Sequence, residues 1–313
     1  MVKTIFRKIY TLFHVKRAFM MWIVRRKWFK YVPDKLALKI KYQNVFYKKL
    51  NLKNPKTFTE KLQWLKLYDR KPEYTMMVDK YRVKEWVSKK IGSKYVIPTL
   101  GVWKSFAEID FDNLPNQFVL KCTHDSGSVV LCKDKNNFDK ENAAKVLGEA
   151  LKENFYYRSR EWPYKNVIPG IIAEKMIIDL SNNDLPDYKV MCFGGVPHFI
   201  QYHSGRNDTD NAGINNHTQD YYDAKWNKLQ VYDIGLENSN KKVSPPIYLQ
   251  EMLELSAQLS ADIPEVRVDW YYADNQLYFG EMTFFDAGGY CKYVPESFDK
   301  ELGDLVHLPP KNS

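Results

Sequence analysis

The sequence has 313 residues, of which 44% are hydrophobic and 15% aromatic, so it can bury a large core divided between two or three lobes. Its 47 lysines and arginines outnumber its 38 acidic residues, which gives a formal net charge of +9. Charged residues interrupt every apolar run, repeats are absent, and the six histidines and four cysteines lack metal-site spacing, which argues against a spanning helix, a repeat protein and a zinc site.

The first fifty residues carry much of the positive charge, and the first thirty contain nine lysines and arginines. They interleave basic side chains, such as Lys3 and Arg26, with bulky apolar ones, such as Phe6 and Trp22. This pattern predicts a basic amphipathic helix on an anionic membrane surface, where each basic residue contributes roughly 1 kcal/mol. The alternative is a helix that packs on the rest of the protein with its basic face in solvent. Basic charge also suits nucleic acid, but no nucleic-acid partner is expected, and no secretory signal is evident.

Residues 1–70 are predicted to be largely helical. Thr57 or Thr59 has the side chain of an N-cap and would begin a helix that runs through Leu67. A second helix is predicted over 76–91, beginning near Asp79.

Residues 117–131 predict two strands joined by a small polar turn. Gly127 lies between Ser126 and Ser128, and its backbone can approach an anion closely because glycine has no side chain. The turn amides and the two hydroxyls would bind phosphate oxygens, and Lys121 would supply positive charge. The alternative is an ordinary Gly-Ser turn without a ligand.

The middle of the chain alternates helix, loop and strand signals. A helix is predicted from Asp139 to Asn154, with an apolar stripe that belongs to the core. Arg158 and Arg160 follow in an aromatic, charged segment, which would meet an acidic substrate or form a surface loop between lobes. The remaining predictions are strands at 171–177, 187–193 and 197–203, a long polar loop at 204–219 as a candidate lid, and a helix at 247–261.

The four cysteines are Cys122, Cys132, Cys192 and Cys291. They are scattered along the chain, and three of them fall inside apparent strands. Buried, reduced thiols are therefore expected, as in a reducing compartment.

Residues 265–283 carry the most informative pattern. Alternating apolar residues predict two half-buried strands around a turn at 273–276, which would set Asp269 and Glu281 opposite each other. Two ionised carboxylates at close range repel unless a cation lies between them, and Mg²⁺ is the usual cation for such oxygen pairs together with substrate phosphates. The alternative is a solvated acidic face.

Taken together, these motifs resemble the ATP-grasp superfamily. The order that carries the resemblance is Asp79-Lys80, Lys121 with the Gly127 loop, 171–175, 187–190, 267–269 and 281–283. The segments 55–70 and 160–162 resemble the teichuronopeptide-biosynthesis (TupA-like) branch. The resemblance implies an α+β fold in which two α+β lobes clasp ATP, preceded by an N-terminal helical extension. The implied divisions are the extension at 1–75, a nucleotide-binding lobe at 76–178 and a metal-binding lobe at 179–313.

The resemblance also implies roles for individual residues. The implied catalytic residues are Lys121 and Arg267, and the implied Mg²⁺ ligands are Asp269, Glu281 and Thr283. Most of the superfamily has an asparagine where this chain has Thr283, so water or nearby Asp286 would complete a second metal site. The implied nucleotide contacts are Lys80, Lys121, His124, Ser126, Gly127, Ser128, Glu174, Lys175, Met176, Ile177 and Lys189.

Within that set, Lys80 and Lys121 would contact phosphates, and residues 124–130 would form a mobile phosphate loop. Residues 174–177 would bind adenine through the backbone, and Lys189 would lie near the ribose or the phosphates. Arg267 would stabilise charge on the transferred phosphoryl group. His124 would either donate to phosphate or lie in solvent.

The activity implied by the resemblance is an ATP-dependent carboxylate–amine ligase in bacterial cell-surface polysaccharide biosynthesis, of the capsule, teichuronopeptide or lipopolysaccharide type. The expected partners are Mg-ATP, an acidic or lipid-linked saccharide acceptor, an amine donor such as an amino acid, and an anionic membrane surface. The expected location is the cytoplasm, with peripheral attachment to the inner face of the plasma membrane. The alternatives are a glycosyltransferase that uses a nucleotide sugar, an ATP-grasp phosphotransferase, and a membrane-bound scaffold with a degenerate nucleotide site.

Overall fold

The computed structural model describes residues 26–178, 185–205 and 217–311, together with Trp22 and Val24. Most of the basic N-terminal segment and most of the candidate lid at 204–219 therefore lie outside the described residues. The helices are α1 (Asp34–Phe46), α2 (Phe58–Tyr68), α3 (Pro72–Val78), α4 (Arg82–Ile91), α5 (Lys140–Leu151), α6 (Tyr156–Ser159), α7 (Leu249–Ser260) and α8 (Ser297–Leu305). The strands are β1 (Thr99–Trp103), β2 (Phe118–Cys122), β3 (Val129–Cys132), β4 (Ile171–Lys175), β5 (Asp187–Phe193), β6 (Val196–Ser204), β7 (Thr218–Asp223), β8 (Tyr232–Asp233), β9 (Glu265–Ala273), β10 (Gln276–Thr283) and β11 (Tyr293–Val294).

Helix α2 begins after Thr57, one of the two predicted caps. The Thr57 hydroxyl accepts a hydrogen bond from the Glu60 amide at 3.3 Å, and the Glu60 carboxylate accepts one from the Thr57 amide, which together form a capping box. Thr59 has a different role, since its amide and hydroxyl both donate to Asp299 of α8 at 2.9 Å. These contacts join α2 to the C-terminal helix.

The single helix predicted over 76–91 is wrong, because the chain forms two helices, α3 and α4. The Asp79 carboxylate accepts hydrogen bonds from the amides of Tyr81 and Arg82 at 2.9 and 3.1 Å. Such a side chain competes with the helical backbone bonds, so it ends one helix and starts the next. The break leaves Lys80 outside both helices, where its amide donates to the carbonyl of Thr123 at 3.0 Å.

A four-stranded antiparallel sheet has the order β1-β4-β2-β3. Helix α5 packs on β2 and β3, and the small core between them includes Phe118, Leu120, Leu147 and Ile171. The predicted helix and the predicted strand–turn–strand are therefore confirmed. Strand β4 ends at Lys175, so Met176 and Ile177 follow it outside the sheet.

A five-stranded antiparallel sheet has the order β10-β9-β5-β6-β7. Helix α7 covers one face, where Met252 and Leu259 join Val268 and Trp270 in the main core. Because neighbouring side chains on a strand point to opposite faces, the polar residues that alternate with this core emerge on the other face. That face carries the candidate site.

Helices beside antiparallel sheets confirm the predicted α+β class. All four cysteines are free and buried, as expected. Within the described ranges, no helix is both long and apolar enough to cross a membrane. The divisions at 75 and 178 remain predictions.

Candidate active site

A row of polar side chains crosses the face of the five-stranded sheet opposite α7. Strand register sets Glu281 opposite Asp269, Asp269 opposite Lys189, and Lys189 opposite Gln201. Arg267 lies on the same face, two residues before Asp269. The prediction that Asp269 and Glu281 face each other across a hairpin is confirmed.

Two cations balance the charge of the buried Asp269 carboxylate. Arg267 Nε and Nη2 lie 2.7 and 2.8 Å from its two oxygens, and Lys189 Nζ also donates to Oδ2. Burial alone would raise the pKa of this carboxyl, but Arg267 and Lys189 hold the pKa of Asp269 well below its usual range. Asp269 is therefore ionised. Because its negative charge is paired with these cations, it repels the neighbouring Glu281 carboxylate only weakly.

Glu281 and Thr283 lie at the open edge of this cluster. Glu281 Oε2 is 3.8 Å from Lys80 Nζ, and its Oε1 is 3.9 Å from Arg267 and 3.4 Å from the Thr283 hydroxyl. These contacts are long, and the Glu281 side chain is 31% exposed, so it can accept a further partner. The Thr283 hydroxyl accepts from Arg267 at 3.1 Å and links it to Glu281.

The donor set fits Mg²⁺ in a water-rich coordination. Mg²⁺ is commonly held by one or two carboxylates together with phosphates and several waters. Glu281 offers open oxygens, whereas both oxygens of Asp269 already receive hydrogen bonds from Arg267 and Lys189. Across the described ranges, no three His, Cys, Asp or Glu side chains surround a common metal position.

Arg267 is fixed by a second carboxylate, Asp286. Its Nη1 donates to Asp286 Oδ1, while Gln201 Nε2 donates to Asp286 Oδ2 at 2.7 Å. Asp286 is buried and opens a short turn, Asp286–Gly289. Asp286, which the sequence suggested as a ligand of a second metal, therefore pairs with Arg267.

On the four-stranded sheet, the buried Glu174 joins two lysines. Its Oε2 lies 2.6 Å from Lys121 Nζ, and its Oε1 contacts Lys84 Nζ. Burial would raise the pKa of Glu174, but Lys121 and Lys84 lower it to about 2. The sequence analysis did not identify Lys84, because the ion pair depends on the packing of α4 beside β4.

Lys80 connects the two sheets. Its ammonium donates to the carbonyl of Asp125 in the loop between β2 and β3, and it also lies 3.8 Å from Glu281 of β10. Gly127 in this loop has φ of +108°, which favours glycine. The Ser128 hydroxyl is buried and donates to Asp125 at 2.6 Å. The exposed members of the implied nucleotide set are Ser126, Gly127 and Lys175.

His124 and Arg160 support the fold. The His124 ring is buried, and its Nε2 lies 3.1 and 3.2 Å from the carbonyls of Ala150 and Glu153, so it neither lies in solvent nor offers that nitrogen to phosphate. The buried Arg160 guanidinium donates to the carbonyls of residues 29, 30 and 32 at 2.8 to 3.1 Å. It secures that segment instead of meeting an acidic substrate.

A model of the family described as TupA-like ATPgrasp matches residues 60–307. The chain belongs to the TupA-like ATP-grasp family. Membership confirms both the ATP-grasp fold and the branch predicted from the sequence. No curated protein matches this TupA-like chain.

Three solved structures similar to this TupA-like protein are ligases. D-alanine–D-alanine ligase from Bacillus anthracis, complexed with ATP, is 14% identical over 74% of this chain and 63% of that chain, with a TM-score of 0.40. The Helicobacter pylori enzyme is 14% identical over 74% and 62%, with a TM-score of 0.39. L-amino acid ligase from Bacillus licheniformis is 13% identical over 81% and 54%, with a TM-score of 0.40. The chain thus spans less than two thirds of the length of these ligases.

Proposed function

We propose that this TupA-like ATP-grasp protein is an ATP-dependent carboxylate–amine ligase. The observation that carries the proposal is the position of Lys80, whose ammonium contacts both the Gly127 loop and Glu281 of the other sheet. Lys80 thus joins the loop of the sheet that carries Lys121 and Glu174 to the sheet that carries Arg267 and Asp269. A triphosphate entering there would replace some of the present ion-pair partners of these lysines.

The nucleotide would be held mainly by charge. Lys80 and Lys121 would contact its phosphates, the Gly127 loop would add backbone amides, and residues 174–177 would contact adenine. Glu174 would keep Lys121 in place through their 2.6 Å ion pair. Phosphoryl transfer depends more on positioned cations than on covalent chemistry, which suits a site made of lysines, one arginine and carboxylates.

Glu281 and Asp269 are the residues that would hold Mg²⁺. When bound, the ion neutralises charge on the β- and γ-phosphates. Arg267 would contact the transferred phosphoryl group, and Asp269 and Asp286 keep its guanidinium in position. Lys189 would remain paired with Asp269 and so limit that carboxylate to a minor share of the metal contact.

The reaction would proceed in two transfers. A carboxylate oxygen of the acceptor attacks the γ-phosphorus, the bond from phosphorus to the β–γ bridging oxygen breaks, and ADP leaves. The amine nitrogen then attacks the acyl carbon, the bond from that carbon to the phosphate oxygen breaks, and inorganic phosphate leaves. The surplus proton on nitrogen passes to phosphate or water. Arg267 would stabilise the phosphoryl charge in both steps.

The proposed acceptor is a hexuronic acid residue of a cell-surface polymer or its lipid-linked precursor, and the proposed amine is an amino acid. Support for this substrate class comes from the TupA-like family match over residues 60–307. We place the enzyme in the cytoplasm, attached peripherally to the inner face of the plasma membrane, where ATP and lipid-linked saccharides meet.

Mass spectrometry of the products tests the proposal. The protein would be incubated with Mg-ATP, uronic-acid oligosaccharides and an amino-acid mixture, with Glu281→Gln as the inactive control. ADP, phosphate and an amide-linked product in equal amounts are expected. ADP with a phosphorylated acceptor would instead establish a phosphotransferase. In a parallel incubation, sugar nucleotides replace ATP, and release of their nucleoside diphosphate with transfer of the sugar to the acceptor would establish a glycosyltransferase.

A further inference from the structure

Two segments that carry the family resemblance, 55–70 and 160–162, have no part in the chemistry described above. The structure brings them together beneath the Asp286–Gly289 turn. Lys66 of the first segment and Glu161 of the second are both buried there. A buried polar or charged group is costly unless its hydrogen bonds are satisfied.

The Lys66 ammonium is fully buried and uses all its donors. It donates to the carbonyl of Gly288 at 2.6 Å, to the carbonyl of Ser159 at 2.8 Å, and to Gln63 Oε1 at 3.0 Å. Three acceptors match the three N–H bonds of a lysine ammonium. Lys66 therefore joins α2 and the end of α6 to the turn.

Gln63, one helical turn before Lys66, holds the next carbonyl of the same turn. Its Nε2 donates to the Gly289 carbonyl at 2.8 Å. A Cβ at Gly289 would lie only 2.4 Å from that nitrogen, so a side chain there would displace the Gln63 amide from the turn. Glu161 closes the cluster, since it accepts from the Ser159 hydroxyl.

The turn needs such support because its backbone is strained. Phe285 and Ala287 have φ of +65° and +47°, in the left-handed region that disfavours residues with a side chain. Conformations of this kind persist only where surrounding contacts enforce them. Lys66 and Gln63 supply contacts at the C-terminal half of the turn, where Gly288 and Gly289 also have positive φ.

The N-terminal half of the turn holds the site. The Asp286 carboxylate accepts from Arg267 and Gln201, so its position sets the guanidinium. We infer that Lys66, together with Gln63, is a positioning residue that holds the Asp286–Gly289 turn and thereby aims Arg267 at the γ-phosphate. The γ-phosphate part of this inference rests on the proposed function.

Lys61 provides a matched control on the same helix. Its ammonium donates to the carbonyls of Gly303 and Val306 at 2.7 and 2.8 Å, so it ties α2 to the C-terminal helix α8 and its end instead of the turn. The test compares wild type, Lys66→Met, Gln63→Leu and Lys61→Met as full chains. Binding of Mg-ADP and of Mg-AMP-PNP, a non-hydrolysable ATP analogue, is measured by calorimetry.

The ratio of the two affinities separates positioning from general destabilisation. Lys66→Met is expected to lower the affinity for Mg-AMP-PNP by about tenfold or more and the affinity for Mg-ADP by less than about twofold, since only AMP-PNP carries a γ-phosphate. Lys61→Met is expected to leave the ratio unchanged. Equal loss for both nucleotides, or an unchanged ratio in Lys66→Met, would overturn the role at the γ-phosphate. If Lys66→Met does not fold, Gln63→Leu decides by the same criteria.

Hydrogen exchange of the peptide covering 285–290 tests the turn without any nucleotide. Faster exchange in Lys66→Met and Gln63→Leu, but not in Lys61→Met, is expected. Unchanged exchange in both site variants would overturn the tether. A wild type that binds neither nucleotide would overturn the proposed function and the γ-phosphate role, while the exchange experiment still decides whether Lys66 holds the turn.

Discussion

The Arg267 guanidinium donates hydrogen bonds to two carboxylates. Asp269 lies on the same strand, and Asp286 lies in the turn that follows β10. Such double pairing fixes a guanidinium whose planar fork suits both carboxylate and phosphate oxygens. A phosphoryl group could then be contacted without a large rearrangement of the arginine. In this structure, Asp269 of the hairpin therefore pairs with cations of the protein itself, Arg267 and Lys189.

Asp269→Asn is expected to abolish turnover and to destabilise the fold. The substitution leaves Arg267 and Lys189 without their shared counter-charge, and breaking a buried pair typically costs about 3–5 kcal/mol. Chemical unfolding measures the loss, with exposed Asp274→Asn of the same hairpin as the control. A variant that melts above wild type would show that the two acids repel and that the cations do not balance them.

Glu265 makes the pH dependence of stability testable. Burial, with Asp286 nearby, raises the pKa of Glu265 from 4.5 to about 8. Because the folded state holds this proton more tightly, the contribution to stability is present below about pH 4.5 and is lost as pH rises towards about 8.

Glu265→Gln should remove that dependence. Between pH 5 and 8 the free energy of unfolding of the wild type should fall relative to the variant, by at most about 1.4 kcal/mol per pH unit. Urea unfolding at several pH values measures both, and Glu254→Gln on the exposed side of α7 is the control. Parallel curves for wild type and Glu265→Gln would contradict the raised pKa.

The break between α3 and α4 sets the position of Lys80. Asp79 ends one helix and begins the next, so the lysine lies in the connection and reaches both the Gly127 loop and Glu281. A continuous helix would have kept its amide in a helical hydrogen bond instead of on Thr123. The position of Lys121 is likewise set by an element contact, because the pairing of β2 with β4 brings Lys121 beside Glu174.

Lys121→Ala is expected to weaken Mg-ATP binding while leaving the fold intact. The lost charge-assisted contact corresponds to about 1.5–3 kcal/mol, and Glu174 keeps its pair with Lys84. Calorimetry measures the affinity, with the exposed Lys145→Ala of α5 as the control. Equal Mg-ATP affinities for wild type and Lys121→Ala would show that Lys121 does not contact the phosphates.

Across the molecule, the N-terminal segment is joined to the body at a defined point. Phe29 is buried, and Arg160 binds the carbonyls of residues 29, 30 and 32. Removing residues 1–30 would therefore cut into packed structure as well as remove basic charge. A deletion of residues 1–21 leaves Phe29 and the partners of Arg160 in place and tests membrane attachment.

The full chain is expected to bind anionic vesicles at low salt and to lose binding at high salt, because ions screen the basic segment. The deletion of 1–21 should bind vesicles weakly and retain Mg-ATP binding, since Lys80 and Lys121 are untouched. Vesicle sedimentation measures the first effect and calorimetry the second. Equal sedimentation of both proteins would exclude residues 1–21 as the membrane contact.

Local patterns in the sequence are enough to predict a helix cap at Thr57 or Thr59, the turn at Gly127, and the hairpin that sets Asp269 opposite Glu281. Each depends on residues close in the chain, where capping, turn geometry and strand alternation operate. The same patterns led to one helix over 76–91, because the competition of the Asp79 side chain with the helical backbone leaves no periodic signal.

The partners of the charged residues depended on how the sheets and helices pack. Lys189 and Asp269 are 80 residues apart, and Lys66 and Gly288 are 222 apart, so no local pattern relates them. Strand order put Lys189 beside Asp269, and docking of α2 put Lys66 beneath the turn. The sequence does not distinguish a solvated lysine from a buried one. Only for a buried lysine do the neighbouring groups determine its protonation state and its hydrogen-bond partners.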